Sequence, residues 1–145
     1  MSEHTQNLKT LHTLLIDSRN GYDEAFKDAN GTGLASLFRD MMVFHNHSAE
    51  ALGAYLNSVG EAVDDRGSVM TTVNRTIMSI RSMFGALDES ILPGLIDGEK
   101  RIAGHYDAAL TTCPADAPEL PVLHNQRESL QAKIAQMQAM KATAA

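Results

Sequence analysis

The 145-residue chain has no tryptophan, a single cysteine and only 5% aromatic residues. Each scarcity removes a class of protein. Cys113 alone closes no internal disulfide, so nothing calls for an oxidising compartment and the cytoplasm is the expected location. No window approaches the roughly eighteen consecutive apolar residues of a membrane span, and the opening MSEHTQNLKT is polar where a secretion signal needs a short apolar stretch. A membrane is not an expected partner. Basic side chains are outnumbered too: 12 Lys and Arg against 18 Asp and Glu give a formal charge of -6. That balance argues against nucleic acid, because phosphate recognition needs a basic face that releases counterions. β-branched residues nowhere alternate with polar ones as a half-buried strand requires.

What is present is Ala, Leu and Met, arranged at helical spacing in a chain of ordinary size for one domain. Leu8, Leu11, Leu15, Tyr22 and Phe26 fall on one stripe and predict a first helix over residues 7–28, stopped by Asn30-Gly31. Thr32 is placed to cap a second helix over 33–63, which carries Leu34, Leu37, Phe38, Met41, Leu52, Tyr55, Leu56 and Val59 on one face. After the charged turn DDRGS, Val73, Ile77, Ile80 and Phe84 predict a shorter helix over 69–84, ended by Gly85. Asp88 caps a helix running to about residue 111 with Leu95, Ile102, Tyr106 and Ala109 inward, Pro93 lying early enough to be tolerated. Beyond the loop TTCPADAP, Asp116 and Glu119 resemble a capping box, and Leu123, Leu130, Ile134 and Met137 form the last stripe.

The expected fold is therefore all-α: an antiparallel four-helix bundle with an additional short helix between the second and third long ones, which lets the chain cross the bundle. Residues 1–145 make one domain, with 1–6 and 141–145 expected to fray. LIDSRNGYDEA near Leu15 and LIDGEKRIAGHYDAA near Leu95 echo each other with one helical turn inserted. Two similar hairpins packed together would produce such an echo, and so would chance similarity between amphipathic helices.

Function-bearing residues are sought where a charge interrupts an apolar stripe, since burying it costs several kcal/mol unless it is paired or bound to metal. Three positions qualify. His45 lies near the centre of the second stripe, Glu99 falls between Leu95 and Ile102, and Arg19 sits at the stripe edge between Leu15 and Tyr22. They form a candidate buried polar layer in which Arg19 and Glu99 are expected to pair, with His45 within reach. A carboxylate-bridged two-metal centre would need a Glu on each of two helices and an ExxH pair on each of the others. Here Met42 precedes His45 by three, Arg19 stands where a carboxylate is wanted, and His124 and Glu128 have the wrong order. No metal and no cofactor is expected.

The remaining candidates are weaker. His47 is followed three residues later by Glu50, not by the lysine of a phosphotransfer helix. Met137 and Met140 read as core filling in place of a soft-metal pair, and Cys113 has no neighbouring base in the sequence to make it a nucleophile. No Gly-rich phosphate loop follows a strand.

Three runs carry a family resemblance: LIDSRNGYDEAFKDANGTGLASLFRDMM, LPGLIDGEKRIAGHYDAAL and LHNQRESLQAKIAQM. Within them Gly21, Tyr22, Ala25, Leu37, Phe38, Gly98, Glu99 and Tyr106 are the most recognisable positions. The chain resembles, over almost its whole length, the bacterial family called domain of unknown function 2383, and the resemblance implies a ferritin-like bundle. Where that family commonly reads D-G-E the chain has Asp17-Ser18-Arg19, and Phe44 occupies an expected acidic position. The expected function is non-catalytic, by self-association or partner binding, with a metal-binding or redox ferritin-like protein bearing a degenerate site as the alternative. A homo-oligomer, a two-fold dimer, is expected because Leu14, Met70, Met78 and Leu92 lie off the main stripes.

Overall fold

The computed structural model describes residues 2–29, 33–63 and 89–144, and these residues contain four long α-helices and no strand. Helix α1 spans Glu3–Asp28, α2 Ala35–Ser58, α3 Leu92–Thr112 and α4 Leu120–Ala144, with a short 3₁₀ turn, Glu89–Ile91, leading into α3. The all-α four-helix architecture expected from periodicity is the one observed. The predicted helix over 69–84, the proposed caps Thr32 and Asp88, and Met70 and Met78 lie outside the described residues.

Helix ends differ from expectation for local reasons. α1 starts four residues early because the Ser2 hydroxyl accepts from the Thr5 amide, 3.0 Å away, and so satisfies an orphan donor. Residues 3–6, expected to fray, are thus helical, and α4 likewise continues through 141 to Ala144. α2 ends five residues short of the predicted 63, at a turn in which Gly60 takes φ 84, a left-handed conformation natural to glycine. Pro93 stands in the first turn of α3, where its missing amide proton costs nothing.

The four ends that meet at one pole give the topology. His4 at the start of α1 reaches Thr112 at the end of α3 and Glu119 just before α4, while Tyr55 near the end of α2 reaches the same glutamate. α1 and α4 therefore run one way, α2 and α3 the other. α1 packs chiefly against α2 and α3 chiefly against α4, with α1 also lying against α3 and α2 touching α4 least. Parallel α2 and α3 sit across the diagonal, an order that short connections alone would not give.

Most of the predicted stripe residues meet in the core, but Val59, expected on the inward face of the second helix, lies past its end and is exposed, and Phe26, Leu37 and Tyr55 are half-buried. Leu8, Leu11, Leu15 and Ile16 of α1, Phe38, Met41, Leu52 and Leu56 of α2, Leu95, Ile102 and Tyr106 of α3, and Leu123, Leu130, Ile134 and Met137 of α4 are all buried. Truncating any of the fully buried leucines to Ala would cost about 2–5 kcal/mol. Gly53 permits the close approach of α1 and α2: a Cβ there would lie 3.1 Å from His12 Nε2. Leu92, read as surface, is fully buried, and Leu14 is half-buried. Ile91 of the 3₁₀ turn is buried ahead of the regular helix, while Leu92, the first residue of α3, lies three positions before Leu95 and seven before Glu99 and so belongs to the α3 stripe itself.

Candidate functional site

Midway along the bundle three helices contribute to one polar cluster. The Tyr22 hydroxyl of α1 donates to Glu99 Oε1 of α3 at 2.9 Å, and His45 Nε2 of α2 lies 2.8 Å from that oxygen and 3.0 Å from Oε2. The three residues are 4%, 2% and 0% exposed in the order Tyr22, Glu99, His45, so solvent contributes nothing to their balance. A carboxylate accepts, which assigns the imidazole proton to Nε2. Nδ1 of His45 is then buried with no hydrogen-bond partner among the described residues. The ring packs against two aromatic neighbours, stacked on Tyr22 at 5.9 Å and tilted against Phe44 at 5.3 Å. Burial, reinforced by the charge and hydrogen bond of Glu99, pushes the Tyr22 phenol well above its ordinary pKa and keeps it a donor.

The predicted layer is thus assembled in part. His45 and Glu99 meet, but the pairing expected between Arg19 and Glu99 is replaced: the carboxylate is taken by His45 and Tyr22. Arg19 is half-buried, with Nη1 3.2 Å from Asn46 Oδ1 and both Nε and Nη2 on Asn20 Oδ1. A residue at the stripe edge carries its guanidinium on a long stem, and that stem leads out to the α1–α2 surface. Tyr22 falls in the apolar stripe of α1, as its spacing predicts, but periodicity does not place its hydroxyl, which reaches Glu99. His12 and Asp17 are also buried polar residues that periodicity did not single out.

Toward α4 the polar network continues. Tyr106 donates to Gln126 Oε1 at 2.7 Å, and Gln126 Nε2 donates to the Ser48 carbonyl at 3.1 Å. Burial raises the Tyr106 phenol far above its ordinary value, a hydrogen bond with Ser48 working against it and the Glu99 charge with it. Neither arrangement fits a two-metal carboxylate centre. The donor set has one carboxylate whose oxygens are both engaged and one imidazole, with Gln126 on the fourth helix.

A second cluster closes the pole where the helix ends converge. His4 Nε2 lies 2.8 Å from Glu119 Oε2, His4 Nδ1 lies 2.9 Å from Thr112 Oγ1, and the Tyr55 hydroxyl donates to Glu119 Oε2 at 3.0 Å. Glu119 is buried, so it does not serve as the solvent-facing half of a capping box. Burial works to raise its carboxyl pKa, but its own backbone amide, His4 and Tyr55 outweigh that and hold it below the ordinary value. Cys113, with no neighbouring base in the sequence, has two partners in space: one ligand atom each from His4, Cys113 and Glu119 lies within 4.8 Å of the others. Burial and then the Glu119 charge push its thiol up, which keeps it protonated and a poor nucleophile. Sequence alone carried no signal here, since His4 and Glu119 are 115 positions apart.

The profile of the family described as domain of unknown function (DUF2383) matches residues 3–112. The chain belongs to that family. The DUF2383 match contains Tyr22, His45 and Glu99 but ends at Thr112, before Cys113 and Glu119. No curated protein and no solved structure matches the chain. No described helix is long and apolar enough to cross a membrane.

Proposed function

We propose that this DUF2383 protein is a non-catalytic, ferritin-like helical bundle of the cytoplasm that acts by associating with itself, as a two-fold dimer, or with a protein partner. The sealing of the central cluster carries the reading. Tyr22 and His45 occupy the carboxylate of Glu99 and all three are buried, so a substrate could reach that carboxylate only by displacing a core side chain. Such a cluster specifies how helices pack. The antiparallel pairs with α2 and α3 parallel across the diagonal support the ferritin-like assignment. Interaction then falls to the outer surface, and α2 offers one: Val43 is 44% exposed beside half-buried Phe44, which Lys133 Nζ of α4 overlies at 5.6 Å. Light scattering over about a hundredfold range of concentration is expected to give a dimer mass that shifts with dilution, and Val43→Glu to weaken it. A monomer mass throughout would count against self-association.

A second reading, a metal-binding or redox ferritin-like protein with a degenerate site, is favoured by the orphaned His45 Nδ1, a buried ligand atom without a partner. Elemental analysis of protein purified without chelator and reloaded with iron or manganese separates the two. About two equivalents per chain, lost in Glu99→Ala, would sink the non-catalytic reading.

A further inference from the structure

We propose that His4, Cys113 and Glu119 form a mononuclear site for a borderline-soft divalent cation of the zinc type, tying the start of α1 to the turn between α3 and α4. Thiolate, imidazole and carboxylate are a characteristic zinc donor set, and three protein ligands leave a fourth position for water. The ligand atoms lie within 4.8 Å of one another. Tetrahedral zinc sets them about 3.3–3.6 Å apart, which small rotations of three side chains supply.

Two features of the pole point to a cation. Glu119 is 3% exposed, yet its Oε1 has no hydrogen-bond partner among the described residues. A buried anionic oxygen left bare is costly, and a metal ion is one of the few things that satisfies it. The second feature is the His4 ring. Its Nδ1 lies 2.9 Å from Thr112 Oγ1 and its Nε2 lies 2.8 Å from Glu119 Oε2. With Nδ1–H donated to Thr112, the Nε2 lone pair faces the carboxylate and is available to a cation shared with Glu119. Thr112 then serves as the outer partner that zinc-bound histidines commonly have, and Tyr55 orients the carboxylate. Cys113 and Glu119 lie beyond the family match, so the site is a property of this chain independent of the central cluster.

The test is titration of the full-length, metal-free protein with Co²⁺ and then Zn²⁺. One equivalent of Co²⁺ is expected to bind with a thiolate-to-cobalt charge-transfer band, which Zn²⁺ displaces while protecting Cys113 from alkylation. Cys113→Ser should abolish the band. Glu119→Gln and His4→Gln should weaken affinity by about a hundredfold or more, and Thr112→Val by about tenfold. His45→Gln and Glu99→Gln should leave binding unchanged, which separates this site from the central one. In the unaltered protein, Zn²⁺ should also slow amide exchange over residues 3–8, a readout that needs no variant. Co²⁺ binding without the charge-transfer band, affinity indifferent to His4 and Glu119, or exchange unchanged by Zn²⁺ would each overturn the proposal.

Discussion

The two polar clusters use nearly the same side chains to different ends. Each sets a glutamate against a histidine and a tyrosine hydroxyl, yet in the centre both carboxylate oxygens are satisfied and the orphan is His45 Nδ1, whereas at the pole the orphan is Glu119 Oε1. Position explains the contrast. The central groups hang from the middles of three helices whose backbones are already hydrogen-bonded, and packing shuts water out. The polar-end groups sit at helix termini around the Cys113–Glu119 turn, where His4 and Cys113 keep partial exposure. A sealed cluster resists change and a rim cluster responds to its surroundings.

The largest effect should come from splitting the central pair. Glu99→Leu leaves His45 and Tyr22 without their acceptor and should destabilise by about 3–5 kcal/mol in urea unfolding, while His45→Leu combined with Glu99→Leu should be milder than the sum. A cycle between Arg19→Met and Glu99→Leu should show little coupling, because Arg19 is bonded to Asn46 and Asn20. Strong coupling there, and additivity with His45, would reverse the assignment of partners. Next in size, Tyr22→Phe removes one of the donors to a buried carboxylate and should cost about 1.5–3 kcal/mol, more than Tyr55→Phe, whose half-buried site admits water as a substitute. Equal losses would erase the distinction between sealed and open clusters.

The smallest effect is a dependence on pH that belongs to the pole. The folded Glu119 carboxyl is held below its unfolded value, so the stability it contributes is complete above the ordinary glutamate pKa, near about 4.3, and is lost as pH falls through the lower folded value. The stability gap between the unaltered protein and Glu119→Gln should therefore narrow on acidification through and below that range. A gap that widens there would contradict the hydrogen bonding at the pole.

The stripes Leu8-Leu11-Leu15, Leu95-Ile102-Tyr106 and Leu123-Leu130-Ile134-Met137 were readable because helix geometry repeats every 3.6 residues and puts them on one face whatever the fold. Interruptions of those stripes were readable for the same reason, which is how His45 and Glu99 were singled out. Their partners were not. Whether Glu99 meets Arg19 or Tyr22 depends on the rotation and offset of α1 against α3, which the sequence of either helix leaves free. The burial of Ile91 depends on the 3₁₀ turn that precedes the regular helix. His4, Cys113 and Glu119 come together only because α1 and α4 run in the same direction and α3 runs against them. Sequence by itself determined the helices and the faces they bury, since those follow from local spacing. Tertiary structure alone decided which polar groups share a cluster, because such contacts depend on how whole helices are oriented and stacked.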